Sequence, residues 1–367
     1  GSALLGLNRL FARHPDRKAV MQLIDKLSEP YLDYPEARLA RAQAALSADE
    51  TRAALVESEA ALRLRPDWEP AVSVYAQAQA REAPEQAIET LADYLARKPQ
   101  AADLRLQYAR LLTAERHYER ARAEFQALLK SFPNNCDVIF AVAVLSFQLK
   151  DLDTSEAGFR RLAESSFQDQ NTVRTYLGQI AEQRGRLDEA IQWYGAVTEG
   201  NQYLGARTRH AAVLAKQGKL EEGRKLLRDT AAASNGERLQ LLLAESQLLR
   251  EAGHTKEAFE LLDDSLATQP NQPELLYESA LLAERIGRGD ILETNLRKLI
   301  QIKPDHAHAY NALGYSLADR NERLDEAQQL IAKALSFAPD DPFILDSMGW
   351  VLYRKGDLEG AIEYLQR

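Results

Sequence analysis

The residues best suited to catalysis or metal binding are scattered along the chain. Its six histidines include one close pair, His306 and His308, at the start of a predicted helix. Side chains two positions apart on a helix point to different faces, so we expect no shared metal ion there. The single cysteine, Cys136, excludes an intrachain disulfide and any Cys-x-x-Cys motif, and we expect it to be a small buried side chain.

Sequence motifs of nucleotide-binding and hydrolytic enzymes are missing from the chain. The segment GRGDI supplies Gly287 and Gly289, but Leu292 stands where a dinucleotide fingerprint needs its third glycine, and no strand precedes it. The Arg-Gly-Asp tripeptide within it also occurs in cell-adhesion sites, but it is ordinary sequence for a turn between helices. No GxSxG, HExxH or P-loop occurs. We therefore predict no catalytic residue, no cofactor and no metal, and do not expect an enzyme.

The composition of the 367-residue chain is that of a globular protein, 45% hydrophobic and 28% charged. No apolar run approaches the roughly 20 residues that a membrane span needs. The formal net charge of -9 argues against a nucleic-acid-binding surface, which requires clustered basic residues. The opening Gly1-Ser2 is interpreted as a cloning scar, with any targeting signal removed or never present.

The clearest pattern in the chain is an internal repeat with a period of about 34 residues. Prolines close successive helical segments at this interval, and glycines continue the rhythm in the middle of the chain. The prolines are Pro66, Pro99, Pro133, Pro270, Pro304 and Pro339, and the glycines are Gly185, Gly218 and Gly253. Small residues recur in phase with them, namely Gly178, Gly314 and Gly349 in first helices, and Ala87, Ala121, Ala190, Ala258, Ala327 and Ala361 in second helices. Two helices cross closely only where side chains are small, so this spacing indicates helix packing.

This repeat resembles the tetratricopeptide repeat (TPR). The resemblance implies an all-α fold, a right-handed superhelical solenoid of about ten helix-turn-helix repeats. We assign residues 1–34 to irregular N-terminal helices, the remnant of an upstream repeat, and residues 35–367 to a TPR superhelix whose last repeat is truncated. Leu292 and Gly223 replace the second-helix alanine, and the segment from Leu152 to Ala157 is interpreted as two residues longer than usual. Local changes of pitch are expected there.

In such a stack the first helices line a concave surface, and residues three or four positions apart on one face point into it. The predicted protein-binding residues of the last three repeats are Tyr277, Leu281 and Glu284, then His308, Asn311 and Tyr315, then Phe343, Asp346, Trp350 and Tyr353. Further upstream the same rule selects Phe140, Val144, Phe147, Thr175, Gln179 and Glu182. Tyrosine and tryptophan are frequent anchors of protein interfaces. The alternative is that Trp350 and Tyr315 pack against a neighbouring repeat.

The charges of this predicted surface bear on its partner. TPR receptors of chaperone tails hold a terminal carboxylate with lysine and asparagine from adjacent repeats. Here Asn311 stands alone and Asp346 occupies the matching position of the next repeat, so we do not expect capture of such tails. The carboxylates on this surface, Glu182, Glu274, Glu284 and Asp346, predict a neutral or basic partner.

Two C-terminal segments show a closer resemblance, NALGYSLADRNERLDEAQQLIAKALSFAPDDP (Asn311 to Pro342) and ILDSMGWVLYRKGDLEGAIEYLQ (Ile344 to Gln366). They resemble the closing repeats of large proteobacterial TPR lipoproteins, and within that group the outer-membrane adaptors of a periplasmic carboxyl-terminal processing protease. The resemblance implies a non-enzymatic scaffold that binds this protease and presents peptidoglycan cross-link hydrolases to it for degradation.

The same resemblance implies a periplasmic location, with membrane attachment only through an N-terminal lipid that this sequence lacks. No nucleic-acid partner is expected. The alternative is a TPR assembly scaffold for envelope biogenesis or exopolysaccharide export, with no protease partner.

Overall fold

The computed structural model describes residues 5–6 and 14–367 of the chain. These residues form α-helices joined by short connections, with one 3-10 turn (Glu29–Tyr31) and no β-strand among them. The predicted all-α fold of the TPR solenoid type is therefore confirmed. Two compact units divide the chain, an N-terminal unit (Gly1–Ile180) and a C-terminal unit (Ala181–Arg367).

The N-terminal unit is built from consecutive helices that pack on one another. Its helices are α1 (Arg17–Ser28), α2 (Pro35–Ser47), α3 (Thr51–Leu64), α4 (Glu69–Glu82), α5 (Pro84–Arg97), α6 (Ala102–Ala114), α7 (Tyr118–Ser131), α8 (Cys136–Gln148) and α9 (Leu152–Ala163). Helix α10 (Gln170–Gln183) contains the boundary between the two units. Short connections make each consecutive pair antiparallel, as in a helical hairpin.

The C-terminal unit repeats the arrangement. Its helices are α11 (Leu187–Gly195), α12 (Tyr203–Lys216), α13 (Leu220–Asp229), α14 (Asn235–Glu251), α15 (Thr255–Thr268), α16 (Pro273–Arg285), α17 (Gly289–Ile302), α18 (Ala307–Asp319), α19 (Leu324–Phe337), α20 (Pro342–Lys355) and α21 (Leu358–Leu365). Each helix packs on the next, and the first helices α16, α18 and α20 also contact one another in turn. This second set of contacts aligns one face of each first helix.

The turn within most helix pairs depends on a single residue in the left-handed backbone conformation. In the C-terminal unit this residue is often glycine, as at Gly218, where φ is 80° and the next N–H, that of Lys219, donates to the carbonyl of Leu214 at 2.9 Å. In the N-terminal unit the same conformation falls on Lys150, with φ of 61° and an equivalent bond one residue later. The turns of the two units thus have the same backbone geometry, although different residue types adopt it.

The predicted close crossings of the two helices in a pair are confirmed. A Cβ atom placed on Gly314 would lie 2.8 Å from the carbonyl oxygen of Ala327, and one placed on Gly223 would lie 2.7 Å from the carbonyl oxygen of Ala211. Both distances are shorter than van der Waals contact allows. Only glycine, therefore, fits these two positions without movement of the backbone.

Two expectations about the packing of the N-terminal unit are wrong. The segment after Leu152 has no two-residue extension, because Ser155 follows the turn residue Lys150 at the usual interval, is fully buried and donates to the carbonyl of Ala143 at 2.9 Å. Serine simply replaces alanine at this crossing. Cys136 is half-buried rather than buried, since it is the first residue of α8 and lies at the helix end.

Some predictions about the two ends of the chain remain predictions. Helix α2 begins at Pro35, the first residue of the predicted superhelix. Gly1, Ser2 and Arg13, on which the interpretations of the N-terminus rest in part, lie outside the described residues. The assignment of residues 1–34 to an upstream remnant and the truncation of the last repeat stay predictions. In the part of the chain that the structure describes, every helix is too short or too polar to span a bilayer.

Candidate protein-binding site

The ten predicted binding residues lie on three first helices of the C-terminal unit that contact in sequence, α16, α18 and α20. Local sequence fixes where these helices start. The carboxylate of Asp341 accepts the N–H groups of Phe343 and Ile344 at 2.9 and 3.2 Å, and Pro342 occupies the first turn of α20. His306 caps α18 in the same way, because its Nδ1 accepts the N–H of Ala309 at 3.1 Å.

The predicted binding residues are exposed or half-buried, unlike the core residues of the same helices. Phe343 is 76% exposed, Tyr353 54% and Tyr315 38%. Glu284, His308 and Asp346 are exposed as well, whereas Tyr277, Leu281, Asn311 and Trp350 are half-buried. Exposed aromatic side chains contribute little to the core, so they are free for contacts with a partner.

One cavity of about 590 Å³ brings four of the ten predicted residues together, namely Tyr315, Asp346, Trp350 and Tyr353. We name it the C-terminal cavity. Asp319 also lines it, and so do Leu358, Ile362 and Leu365 of α21, which are exposed. The other six predicted residues, Tyr277, Leu281, Glu284, His308, Asn311 and Phe343, do not line it.

Negative charge surrounds the hydroxyl of Tyr315. Burial raises the pKa of Tyr315, and the carboxylates of Asp319, Asp346 and Glu284 raise it further. Among the described residues none of these three carboxylates makes an ion pair with a basic side chain. The cavity therefore carries uncompensated acidic charge beside aromatic rings.

Two of the carboxylates that the sequence placed on this surface are compensated within the protein. Glu182 accepts from Lys216 at 2.6 Å and lies 3.4 Å from the guanidinium of Arg209. Glu274 lies 3.6 Å from the ammonium of Lys303. The prediction that Glu182 and Glu274 add to an acidic surface is therefore wrong, because nearby basic side chains neutralise them.

Trp350 combines the two roles that the sequence left open. Its ring packs against the main hydrophobic core of the C-terminal unit, and it also lines the cavity. The ring of Tyr353 stacks on it with centroids 5.6 Å apart, and the guanidinium of Arg354 lies 5.4 Å from its centroid. The aromatic wall is thus held in place by contacts within its own helix and beneath it.

The histidines do not come together in a metal site within the part of the chain that the structure describes. His306 lies against the ring of Tyr277, with centroids 5.3 Å apart, while His308 is exposed. Over the described ranges, 5–6 and 14–367, no group of three potential metal ligands is found. Upstream, Thr175 is buried and donates to the carbonyl of Asn171 at 2.8 Å, so its predicted exposure in a groove is wrong.

Sequence reasoning missed the apolar stripe on α21. It selected only first helices, yet Leu358, Ile362 and Leu365 come from a second helix and complete the cavity. Their spacing of four and three residues is that of one helical face, so this stripe was visible in the sequence.

Comparison with known proteins agrees with the helical repeat. Models of the tetratricopeptide repeat match residues 78–143, 143–203 and 307–341. The chain therefore contains tetratricopeptide repeats. It is similar to the TPR repeat-containing protein PA4667 of Pseudomonas aeruginosa, with 39% identity over 193 residues that cover 52% of this chain and 32% of that protein. The chain thus spans about a third of the length of this relative.

Solved structures with similar folds share little sequence with the chain. A Naa15/Naa10 complex bound to HypK-THB is 15% identical, with 99% of this chain and 63% of that chain covered and a TM-score of 0.47. A tetratricopeptide repeat protein from Parabacteroides merdae is 13% identical, with coverage of 76% and 97% and a TM-score of 0.42. The C-terminal part of a TPR repeat-containing protein from Cytophaga hutchinsonii is 15% identical, with coverage of 66% and 99% and a TM-score of 0.45.

Proposed function

We propose that the protein is a non-enzymatic scaffold whose C-terminal cavity holds a protein client through a segment with basic and apolar side chains. One observation carries this proposal. Tyr315, Trp350 and Tyr353 line a single cavity together with Asp319 and Asp346, whose carboxylates have no basic partner among the described residues. Tetratricopeptide repeats bind protein partners, and the repeat here supplies the same kind of surface.

The chemistry of such a client follows from the cavity. A lysine or arginine of the client can pair with Asp346 or Asp319, and its side chain can lie over the ring of Tyr315. Aliphatic or aromatic side chains can cover Trp350 and the apolar stripe of α21. A cavity of about 590 Å³ accepts one or two large side chains, so the rest of the client must extend beyond it. Opposite charge also accelerates encounter and disfavours acidic partners.

We further propose that the scaffold is an adaptor for a carboxyl-terminal processing protease and that its clients are peptidoglycan hydrolases. The support is the resemblance of residues 311–366 to such adaptors, together with the cavity that these same residues build. An adaptor accelerates proteolysis because it raises the effective concentration of client beside the protease. This role would place the protein in the periplasm, attached to the outer membrane by an N-terminal lipid.

The first test is affinity capture of partners from envelope extract, followed by mass spectrometry. Asp346→Lys and Tyr315→Ala should each lose the partner that the unaltered chain captures. Asp264→Lys is the matched control, because Asp264 is an exposed carboxylate on α15 that does not line the cavity. If Asp346→Lys and Asp264→Lys capture the same partners in equal amounts, the C-terminal cavity is not the binding site.

The second test addresses the adaptor role by itself. Purified protease and hydrolase are mixed with the chain, and the rate of hydrolase cleavage is measured. We expect faster cleavage with the unaltered chain and with Asp264→Lys, but not with Asp346→Lys. An unchanged rate with the unaltered chain would exclude the adaptor role. Capture of export or envelope-assembly components instead would favour the alternative scaffold.

A further inference from the structure

A second cavity lies within the N-terminal unit and contains Phe140 and Val144, which the sequence placed on the concave surface, but the proposed function does not use it. It has a volume of about 350 Å³ and is lined by residues of α6, α7 and α8. Its floor contains Phe125, Val138 and Leu145, which are all buried, and Phe140 and Val144 lie half-buried along it. We name it the N-terminal cavity. A cavity with this lining accepts an apolar side chain.

Two helical stripes border the N-terminal cavity. The stripe on α6 consists of Leu106, Arg110 and Thr113, and the stripe on α8 consists of Asp137, Ala141 and Val144. Residues three or four positions apart lie on one face of a helix, so each stripe runs along the cavity. The cavity is therefore a trough with one wall on α6 and another on α8, an arrangement that suits a chain segment.

Arg110 is a cation with no partner at the edge of this trough. It is exposed, and its guanidinium makes no ion pair or hydrogen bond within the described residues. Arg105 on the same helix is different, since it pairs with Glu124 and donates to the carbonyl of Pro99 at 2.8 Å. A free guanidinium beside an apolar cavity suits a ligand that combines an apolar group with a carboxylate.

The opposite edge of the trough carries groups that suit a peptide backbone. Asp137 is exposed on the first turn of α8 and forms no ion pair with Arg110. Asn135 caps α8, because its Oδ1 accepts the N–H of Val138 at 3.2 Å, and its amide N–H groups make no hydrogen bond with any residue that the structure describes. A bound peptide offers N–H groups to the carboxylate and carbonyl groups to the amide.

We propose that the N-terminal cavity binds a protein segment in which a large apolar side chain is followed, within one or two residues, by a carboxylate. The apolar side chain lies against Phe140 and Val144, and the carboxylate pairs with Arg110. The backbone of the segment donates to Asp137 and accepts from Asn135. A fatty acid fits less well, because it has no N–H group to donate to Asp137.

The test begins with selection of peptides from a displayed library of random dodecapeptides on the full chain. We expect one enriched group in which an aromatic or aliphatic residue precedes an aspartate or glutamate. Synthetic peptides of this group should bind Arg110→Glu about tenfold or more weakly than the unaltered chain, because a charge-assisted hydrogen bond is lost and a like charge is introduced. Arg110→Lys should bind with an intermediate affinity.

Matched controls separate this site from the rest of the surface. Arg52→Glu makes the same charge change at an exposed arginine on α3 that does not line the cavity, and it should leave binding unchanged. Ala141→Met keeps a helix-forming residue but fills part of the cavity, so it should weaken binding without altering charge. Both variants are expected to fold as the unaltered chain does.

Four results would overturn the proposal. The first is enrichment without acidic residues, and the second is binding that Arg110→Glu leaves unchanged. The third is displacement of the selected peptide by dodecanoate at equal concentration, which would place a lipid in the cavity. Selected peptides that are all basic and respond only to Asp346→Lys would also overturn it, while the proposed function of the C-terminal cavity would stand.

Discussion

The two units are built from the same kind of helix pair, yet their cavities differ in charge. The C-terminal cavity is lined by Asp319 and Asp346 with no basic side chain to balance them. The N-terminal cavity has an apolar floor and carries both signs of charge, the free guanidinium of Arg110 and the carboxylate of Asp137. The positions that pack one helix on another are similar in both units, whereas the positions that face a cavity have diverged.

This contrast indicates where the repeat constrains the sequence. At the helix crossings a Cβ atom on Gly158 would lie 2.9 Å from the Cβ of Ala143, and one on Gly314 would lie 2.7 Å from Cγ1 of Ile331. Cavity residues meet no such limit, because they contact solvent on one side. Binding chemistry can therefore change from one repeat to the next without loss of the fold.

The largest effects are expected at the crossings and should be alike in the two units. We expect Gly158→Ala and Gly314→Ala each to lower the free energy of unfolding by about 1–3 kcal/mol, because overpacking outweighs the better helix propensity of alanine. Thermal and urea unfolding, followed by circular dichroism, measure this loss.

The control for the crossings is Gly205→Ala on α12, where no atom lies within 4 Å of the added Cβ. This variant should gain about 0.5–1 kcal/mol from helix propensity alone. If Gly158→Ala behaves like the control and Gly314→Ala does not, the two units do not share the same packing constraint.

The next effect concerns the charges of the two cavities. Asp346→Arg should weaken binding of basic peptides about tenfold, or by about 1.4 kcal/mol, and should leave peptides specific for the N-terminal cavity unchanged. Arg110→Glu should do the reverse. Fluorescence anisotropy with labelled peptides of both kinds gives the four affinities. Equal losses for both peptides in either variant would mean that the cavities do not differ in charge preference.

Much of the fold was predictable because it depends on spacing. Small residues, prolines and glycines at about 34-residue intervals fix the helix pairs before any contact is known. The same spacing identified the exposed face of α18 and α20, and Tyr315, Asp346, Trp350 and Tyr353 do meet in one cavity. Position within the repeat determines which way a side chain points, so this part of the site followed from the pattern.

Sequence reasoning missed the basic partners of some predicted surface carboxylates, because these partners come from neighbouring repeats. Glu182 is neutralised by Lys216, which lies one repeat later at a separation of 34 residues, and by Arg209. Ser73 and Gln107 show that this is general, since they are also 34 residues apart and bonded at 2.7 Å. Residues one period apart are neighbours, and a search at that interval would have found the partner of Glu182.

A further prediction compares carboxylates of the two units. Hydrogen bonds from Arg323, at 2.9 Å, and from Arg297, at 2.8 Å, lower the pKa of Glu293 to about 2. Its pKa when unfolded is higher, so Glu293 contributes stability at neutral pH that is lost as pH falls from about 5 to 2. Burial raises the pKa of Asp25 in the N-terminal unit, and this carboxylate contributes with the opposite sign.

Glu293→Gln should therefore lower the free energy of unfolding by about 1 kcal/mol at pH 7, after allowance for solvent screening, and this effect should shrink as pH falls and vanish only below about pH 2. Asp25→Asn should show no loss at pH 7. Urea unfolding at several pH values measures both. If Glu293→Gln lowered the free energy of unfolding by the same amount at every pH, the ion pairs of Glu293 would not be the cause of the loss.

The smallest effect concerns the turns, where the two units place different residues in one conformation. Gly218 has φ of 80° with open space around a built Cβ, so Gly218→Ala should cost about 1 kcal/mol through backbone strain alone. Lys150 already bears this strain at φ of 61°, and Lys150→Gly should gain about 0.5 kcal/mol because glycine relieves it. Thermal unfolding of both variants measures the two changes. A loss of stability in Lys150→Gly would mean that the lysine side chain, and not the backbone alone, stabilises this turn. The turns of the two units would then differ in what stabilises them as well as in residue type.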